Sequence, residues 1–302
     1  MSLKSARWQS VEWPTFLAIV LCYLGWLAAG ALVCARYRVV GCVLLALVVA
    51  FHSSLQHEAT HRHPTRLDWL NEILVGLPIG VFYPFRRYRE THLLHHRDGT
   101  LTDPHDDPES YYLDPARAAT LPVFQRWLLT ANNTLLGRIL LGPGIACVRF
   151  ALGDLRRIVA GDRAVRRAWL IHGLSLVPVV VIVQTVFGIP FWLYVSGPVY
   201  GGMALIAIRS FCEHQSHREA SGRTVIVEGS WLGFLFLHNN LHVVHHARPG
   251  LPWYRLPAAY RAERGHWTTV NGGYVFRGYR AIARQYLLRR KEPLAHPLRE
   301  GA

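Results

Sequence analysis

Acidic residues are few in this 302-residue chain, where 19 aspartates and glutamates stand against 33 lysines and arginines. The resulting net charge of +14, with a pI near 10.1, needs a cause. Nucleic-acid binding is not that cause, because no basic block is interleaved with aromatics and no nucleic-acid motif occurs. Cysteine is sparse as well. Cys22, Cys34, Cys42, Cys147 and Cys212 show no C-x-x-C spacing, and three of them lie in strongly apolar segments, so neither a disulfide framework nor a zinc ribbon is indicated. Also missing are repeats, low-complexity tracts and flexible linkers, which favours a single domain over residues 1–302. No His-Pro-Gly-Gly haem signature, iron–sulfur cysteine pattern or dinucleotide-binding glycine fingerprint is present.

What the chain has in abundance is apolar length. Hydrophobic residues make up 51% of it, more than an ordinary soluble protein carries. A bilayer core about 30 Å thick needs roughly 20 apolar helical residues. Four stretches meet that need, at 14–35, 39–56, 169–187 and 190–208, and the very short links between them make two hairpins. The expected fold is therefore an all-α integral membrane protein with four transmembrane helices in two hairpins. The first stretch is longer than the apolar part of a signal peptide and lacks a convincing cleavage site, so it is expected to be retained. All lysines and arginines except Arg36 and Arg38 then fall on one side, which the positive-inside rule makes cytoplasmic. That side carries a helical cap, residues 57–168 and 209–302, and both termini. Two shorter apolar segments, Ile73 to Phe85 and Leu135 to Leu152, are expected to lie along the membrane surface or to be buried in the cap.

The second abundance is histidine, with 17 in the chain. Most are grouped: HEATH carries His57 and His61, THLLHH carries His92, His95 and His96, and HNNLHVVHH carries His238, His242, His245 and His246. EHQSH adds His214 and His217. On a helix, residues three or four apart stand on one face, so each box aims two or three imidazoles at one point. Neutral imidazole suits zinc, copper, iron and nickel. A catalytic zinc takes three protein ligands, so eight or more clustered histidines call for two metals. Read alone, His57-Glu58-x-x-His61 is a zinc-protease motif with Glu58 as general base. That reading leaves the other two boxes without a purpose, and a non-catalytic haem or metal carrier would need fewer convergent ligands.

The three boxes, with two spans before the first and two between the second and third, resemble the integral-membrane fatty acid desaturase superfamily. Its members include related hydroxylases and carotenoid ketolases, and THLLHHRDGTLTDPHDDPES is similar to bacterial members. The resemblance implies a non-haem diiron centre held by His57, His61, His92, His95, His96, His242, His245 and His246. A further ligand is expected just after the fourth span, with His214 the candidate and His217 the runner-up. It implies O2 as co-substrate, a lipid substrate, a fatty acyl desaturase activity ahead of hydroxylation or ketolation, and placement in the cell inner membrane. A separate electron donor, a ferredoxin or a b-type cytochrome, is implied too. Arg289, Arg290 and Lys291 are candidates to dock such a donor or anionic lipid headgroups.

Acidic and amide residues near the boxes are candidates to hold imidazole N–H groups. They are Glu58, Asp98, Asp103, Asp106, Asp107, Glu213 and Asn239, together with His217 and His238; Asn239 or Asn240 is a candidate to reach a metal through water. Asp103-Pro104 and Asp107-Pro108 equally signal turns. His52 is expected in a substrate channel or paired to Ser53 or Ser54. His63, before Pro64, is expected at the surface, and His105, His172, His266 and His296 are expected to be ordinary residues.

Overall fold

The computed structural model describes residues 11–299, leaving aside the side chains of Asp98 and Arg299. Helices α1 (Trp13–Arg36) and α2 (Arg38–Thr60) form a hairpin about Tyr37. Among the shorter helices that follow are α3 (Asp68–Val75), α4 (Phe85–His95) and α5 (Val123–Asn132). The long α6 (Leu135–Val159) then leads to a second hairpin of α7 (Arg163–Val186) and α8 (Phe191–Ser210). Short helices α9 (His242–Ala247) and α10 (Tyr279–Tyr286) lie near the end of the chain. Among the described residues the only strands are β1 (Ile226–Val227) and β2 (Val275–Phe276), paired in parallel.

Among the described residues five helices, α1, α2, α6, α7 and α8, are long and apolar enough to cross a membrane. The sequence suggested four. The difference is α6, which runs unbroken for 25 residues through Arg138, Pro143 and Arg149. Its Thr134 side chain caps the Gly137 N–H, and Pro143 is tolerated within it. The segment from Ile73 to Phe85 differs in the opposite sense. Only Ile73 to Val75 are helical, and the chain then turns irregularly to the start of α4. Pro78 and Pro84 withhold backbone donors there, and Gly76 and Gly80 favour turns.

Three π-helical turns interrupt the apolar helices, at Ala29–Val33, Ile182–Val186 and Val195–Val199. Periodicity alone does not show them, because each inserts only one residue. Packing between the hairpins is close. A Cβ on Gly30 would lie 2.3 Å from the Phe187 ring, so only glycine lets these helices meet. Phe187 in turn packs edge-on to buried Trp26 at 4.9 Å. Trp26 donates its indole N–H to Tyr194 Oη at 2.9 Å, and Tyr194 donates to the Ile79 carbonyl at 2.8 Å. In an apolar surrounding an unmet donor is expensive, so this chain of bonds joins α1, α8 and the 76–84 segment in one register.

The cap is tied on by charge. Arg87 of α4 pairs with Asp154 of α6 at 2.8 Å, both side chains being buried, and Trp169 of α7 donates to the same carboxylate at 2.8 Å. This triad sets α4, the carrier of the second histidine box, against α6 and α7.

Candidate metal centre

Helix α2 runs past its apolar part into the first box. His57 lies in its last turn and His61 is its C-cap, one turn further on. Helix α4 ends in the second box, with His92 and His95 inside it and His96 as its C-cap. Helix α9 is the third box, from His242 through His245 and His246. His214 is the exception. It follows α8 in non-helical chain, where it forms an isolated antiparallel bridge with Thr224.

These nine residues come together in two groups. His57, His61, His92, His96 and His245 form one, and His95, His214, His242 and His246 the other, with the ligand atoms of each group all within 4.8 Å of one another. In the first, Nε2 of His92 lies 3.1 Å from Nε2 of His61 and 3.0 Å from that of His96, which is 3.1 Å from Nε2 of His245. In the second, His214 Nε2 stands 3.0 Å from Nε2 of both His95 and His242, and His242 Nε2 is 3.1 Å from that of His246. The groups adjoin, since the His96 and His246 rings stack at 4.2 Å.

Three of the outward Nδ1 atoms have acceptors. His92 Nδ1 is 3.0 Å from Glu109 Oε1, His95 Nδ1 2.8 Å from Asp107 Oδ1, and His242 Nδ1 2.9 Å from Asn239 Oδ1. An acceptor there holds the proton on Nδ1 and leaves the Nε2 lone pair facing inward. Lone pairs about 3 Å apart repel unless a cation lies among them. Nitrogens bound at about 2.1 Å stand about 3.0 Å apart at right angles and about 3.4 Å apart in a tetrahedron. The spacings observed match the right-angled arrangement, and five donors in the first group exceed the four of a structural zinc. The residues therefore fit one metal ion in each group, with the five donors of the first suited to a coordination number above four.

Electrostatics agree. Burial, then neighbouring imidazoles, holds His214, His242 and His245 well below the usual histidine range, and brings His61 down to about 2. Such rings stay neutral and able to bind metal at any ordinary pH. His95 differs: burial lowers it, but Glu109 and Asp107 outweigh burial and raise it to about 9.

Several flanking candidates have other roles. Asn239 does touch a box histidine, and its amide donates to Glu213 at 3.3 Å, which pairs with Arg209 at 2.7 Å. Glu58 Oε1 is 3.8 Å from His57 Nδ1, while Oε2 accepts the Trp253 N–H at 3.1 Å. Its carboxylate is thus engaged by the backbone, away from the role a protease base needs. His217 is outside both groups and bonds the Glu219 backbone instead. His238 stacks on Trp253 at 6.0 Å and is likewise outside them. Asn240 donates to the Val227 carbonyl at 2.7 Å, so it serves β1. Asp103 Oδ1 accepts from the backbone N–H of His105 and Asp106 in a turn. The Asp98 side chain lies outside the described residues.

His63 is buried rather than at the surface, because Glu12, 51 residues earlier, meets its Nδ1 at 2.8 Å. His52 is buried and pairs with Tyr23 Oη at 3.1 Å, not with Ser53 or Ser54. His172 and His296 are buried too, bonded to the Val81 carbonyl and to Thr102 Oγ1. The contribution of Glu109 had no signal in the sequence beyond its place in an acidic loop, and Asp107 was legible equally as a turn.

Among curated proteins none matches this chain significantly. The family profile described as fatty acid desaturase matches residues 35–278, which include all nine grouped histidines. This match covers most of the chain, which therefore belongs to the fatty acid desaturase family.

Proposed function

We propose that the chain is an O2-dependent non-haem diiron enzyme that introduces a double bond into a fatty acyl chain. Family membership makes it an oxidoreductase acting on lipid in a membrane. The observation that carries the finer reading is the pair of adjoining imidazole groups, five and four donors strong. His57, His61, His92, His96 and His245 would hold one iron, and His95, His214, His242 and His246 the other. Iron supplies the O2-reducing power that breaks an unactivated C–H bond, which no side chain can provide.

The chain's own residues orient and enclose. Asp107, Glu109 and Asn239 each hold an Nδ1 of their histidine, so the Nε2 atoms are turned toward the centre before metal arrives. Leu55, Ala59 and Leu237 are fully buried beside the boxes and keep water from the centre. An acyl substrate over a carotenoid is supported by an open groove of about 940 Å³, lined by Glu12, Trp13, Arg66, Tyr254 and Arg255, with Arg62 at its edge paired to Asp68. Guanidinium groups at a membrane boundary suit an anionic headgroup, which a carotenoid lacks.

Four crossings, not five, fit the site. Between His61 and His214 the chain passes α6, α7 and α8, and three crossings would put those histidines on opposite sides of the bilayer. Yet both belong to one centre, with His95 and His214 3.0 Å apart. Along α6, Arg138 lies over Tyr111 at 3.6 Å, Arg149 donates to the Ser110 carbonyl at 2.7 Å, and Asp154 pairs with Arg87. Contacts with the cap along its length support α6 as a helix lying on the membrane surface. The basic excess on that side supports a cytoplasmic cap, and the likeness of THLLHHRDGTLTDPHDDPES to bacterial members of the family supports a bacterial inner-membrane setting. A ferredoxin or b-type cytochrome would supply electrons.

Expression in a lipid-producing host, with mass spectrometry of extracted lipids and carotenoids, tests the reading. Loss of two hydrogens from an acyl chain is expected. Gain of one oxygen instead would assign hydroxylation, and an altered carotenoid would assign ketolation.

A further inference from the structure

Eight of the nine grouped histidines lie in a helix or cap one, and helical geometry fixes where their side chains emerge. His214 has no such support. It stands in extended chain after α8, bridged to Thr224 on one side, with the Glu213 carbonyl accepting the Val225 N–H at 3.0 Å. Yet it sits between His95 and His242, at 3.0 Å from each. Something else must hold its other side.

That side is occupied by the segment 291–296, beyond the residues matched to the family. Lys291 turns inward, its side chain only 8% exposed, although its sequence neighbours Arg289 and Arg290 are exposed. Its ammonium donates to the His214 carbonyl and, at 3.3 Å, to the Phe211 carbonyl. Its own backbone N–H is fixed by the Asn133 carbonyl at 2.9 Å. Glu292 pairs with the Lys291 ammonium at 3.2 Å and accepts the Ser216 N–H at 3.2 Å, and Tyr112 Oη accepts the same N–H at 2.7 Å. The strap continues to the acidic loop. The Leu113 N–H donates to the Leu294 carbonyl at 2.8 Å and the His296 N–H to the Leu113 carbonyl at 2.9 Å. His296 Nε2 and Thr102 Oγ1 are 3.3 Å apart, and the Thr102 N–H donates at 2.8 Å to Asp107, the carboxylate that holds His95.

We infer that Lys291 is the residue that positions His214 in the second metal group, and that the 291–296 strap fastens His214 to the loop that orients His95. The assignment rests on the two-metal reading above. Lys291 is thereby removed from any donor-docking patch, since its ammonium is spent on backbone carbonyls. An ammonium suits the task because it offers three donors, and it meets two adjacent carbonyls and a carboxylate at once.

The test is ferrous-iron binding to the full-length protein in detergent, under anaerobic conditions, read as stoichiometry and affinity with thermal stability measured in parallel. The parent protein is expected to hold two ions. Lys291→Ala is expected to keep one at parental affinity and to bind the second about 10- to 100-fold more weakly, the usual effect of removing a group that orients a ligand. Lys291→Arg should restore most of the loss, and Arg290→Ala should bind as the parent does. If Lys291→Ala does not accumulate, Glu292→Gln weakens the same clamp while leaving the lysine in place. Two ions held at parental affinity, or loss of both ions together, would overturn the inference. A parent protein that binds fewer than two ions would instead count against the diiron reading.

Discussion

Asp107 and His95 are joined at 2.8 Å, Oδ1 to Nδ1, with both side chains 1% exposed. The carboxylate does two things, because its other oxygen accepts the Thr102 N–H at 2.8 Å. It orients an imidazole and closes the loop that carries it. Asp107→Asn keeps the shape and one acceptor but loses the charge. It is expected to weaken the second metal site about 10- to 100-fold with little change in fold, as metal titration would read. Unaltered binding of both ions would show that His95 needs no carboxylate.

The two groups predict separable losses. His245→Ala should lose the ion of the five-histidine group and His95→Ala that of the four-histidine group, each leaving one ion and a membrane-inserted protein. Both should abolish product formation. Full turnover in either variant would refute that ligand assignment.

Proton release is expected on metal binding. In the metal-free protein His95 is raised to about 9 by Glu109 and Asp107, against burial, so near pH 7 it carries a proton that metal must displace. Affinity for the second ion should therefore rise with pH up to about 9 and then level off. Calorimetry in two buffers of different ionisation heat measures the released proton. A pH-independent affinity between 7 and 9 would contradict the raised value.

The Arg87–Asp154 pair is buried, so removing one partner strands a charge. Arg87→Ala is expected to cost about 3–5 kcal/mol and to loosen α4 from α6. Thermal unfolding in detergent would show it, and Arg62→Ala, at an exposed ion pair with Asp68, should change stability by less than about 1 kcal/mol.

Topology can be read at Ala160, an exposed residue between α6 and α7. With α6 on the membrane surface, Ala160→Cys should react with an impermeant maleimide only when the cytoplasmic side is open to it. Labelling from the opposite side would make α6 a fifth crossing.

How much of this was legible varies with the range of the interaction. Apolar runs and i, i+3, i+4 spacing are local, and they foretold the hairpins and which histidines share a face. Spacing allows both His214 and His217, and only the fold brings the first beside the other imidazoles. The continuity of α6 was hidden by Arg138, Pro143 and Arg149, whose partners Tyr111 and Ser110 come from the cap.

By itself, then, the order of residues determined a chain of apolar membrane-length helices and three boxes of imidazoles aimed by helices. Only tertiary structure decided how nine rings divide into five and four, that Glu109 and Asp107 steer two of them, that His63 is buried against Glu12, and that Lys291 turns inward to His214. Helix geometry repeats every few residues and can be read along the chain. A hydrogen bond between residues 51 or 77 positions apart has no period, and exists only once the intervening chain has packed.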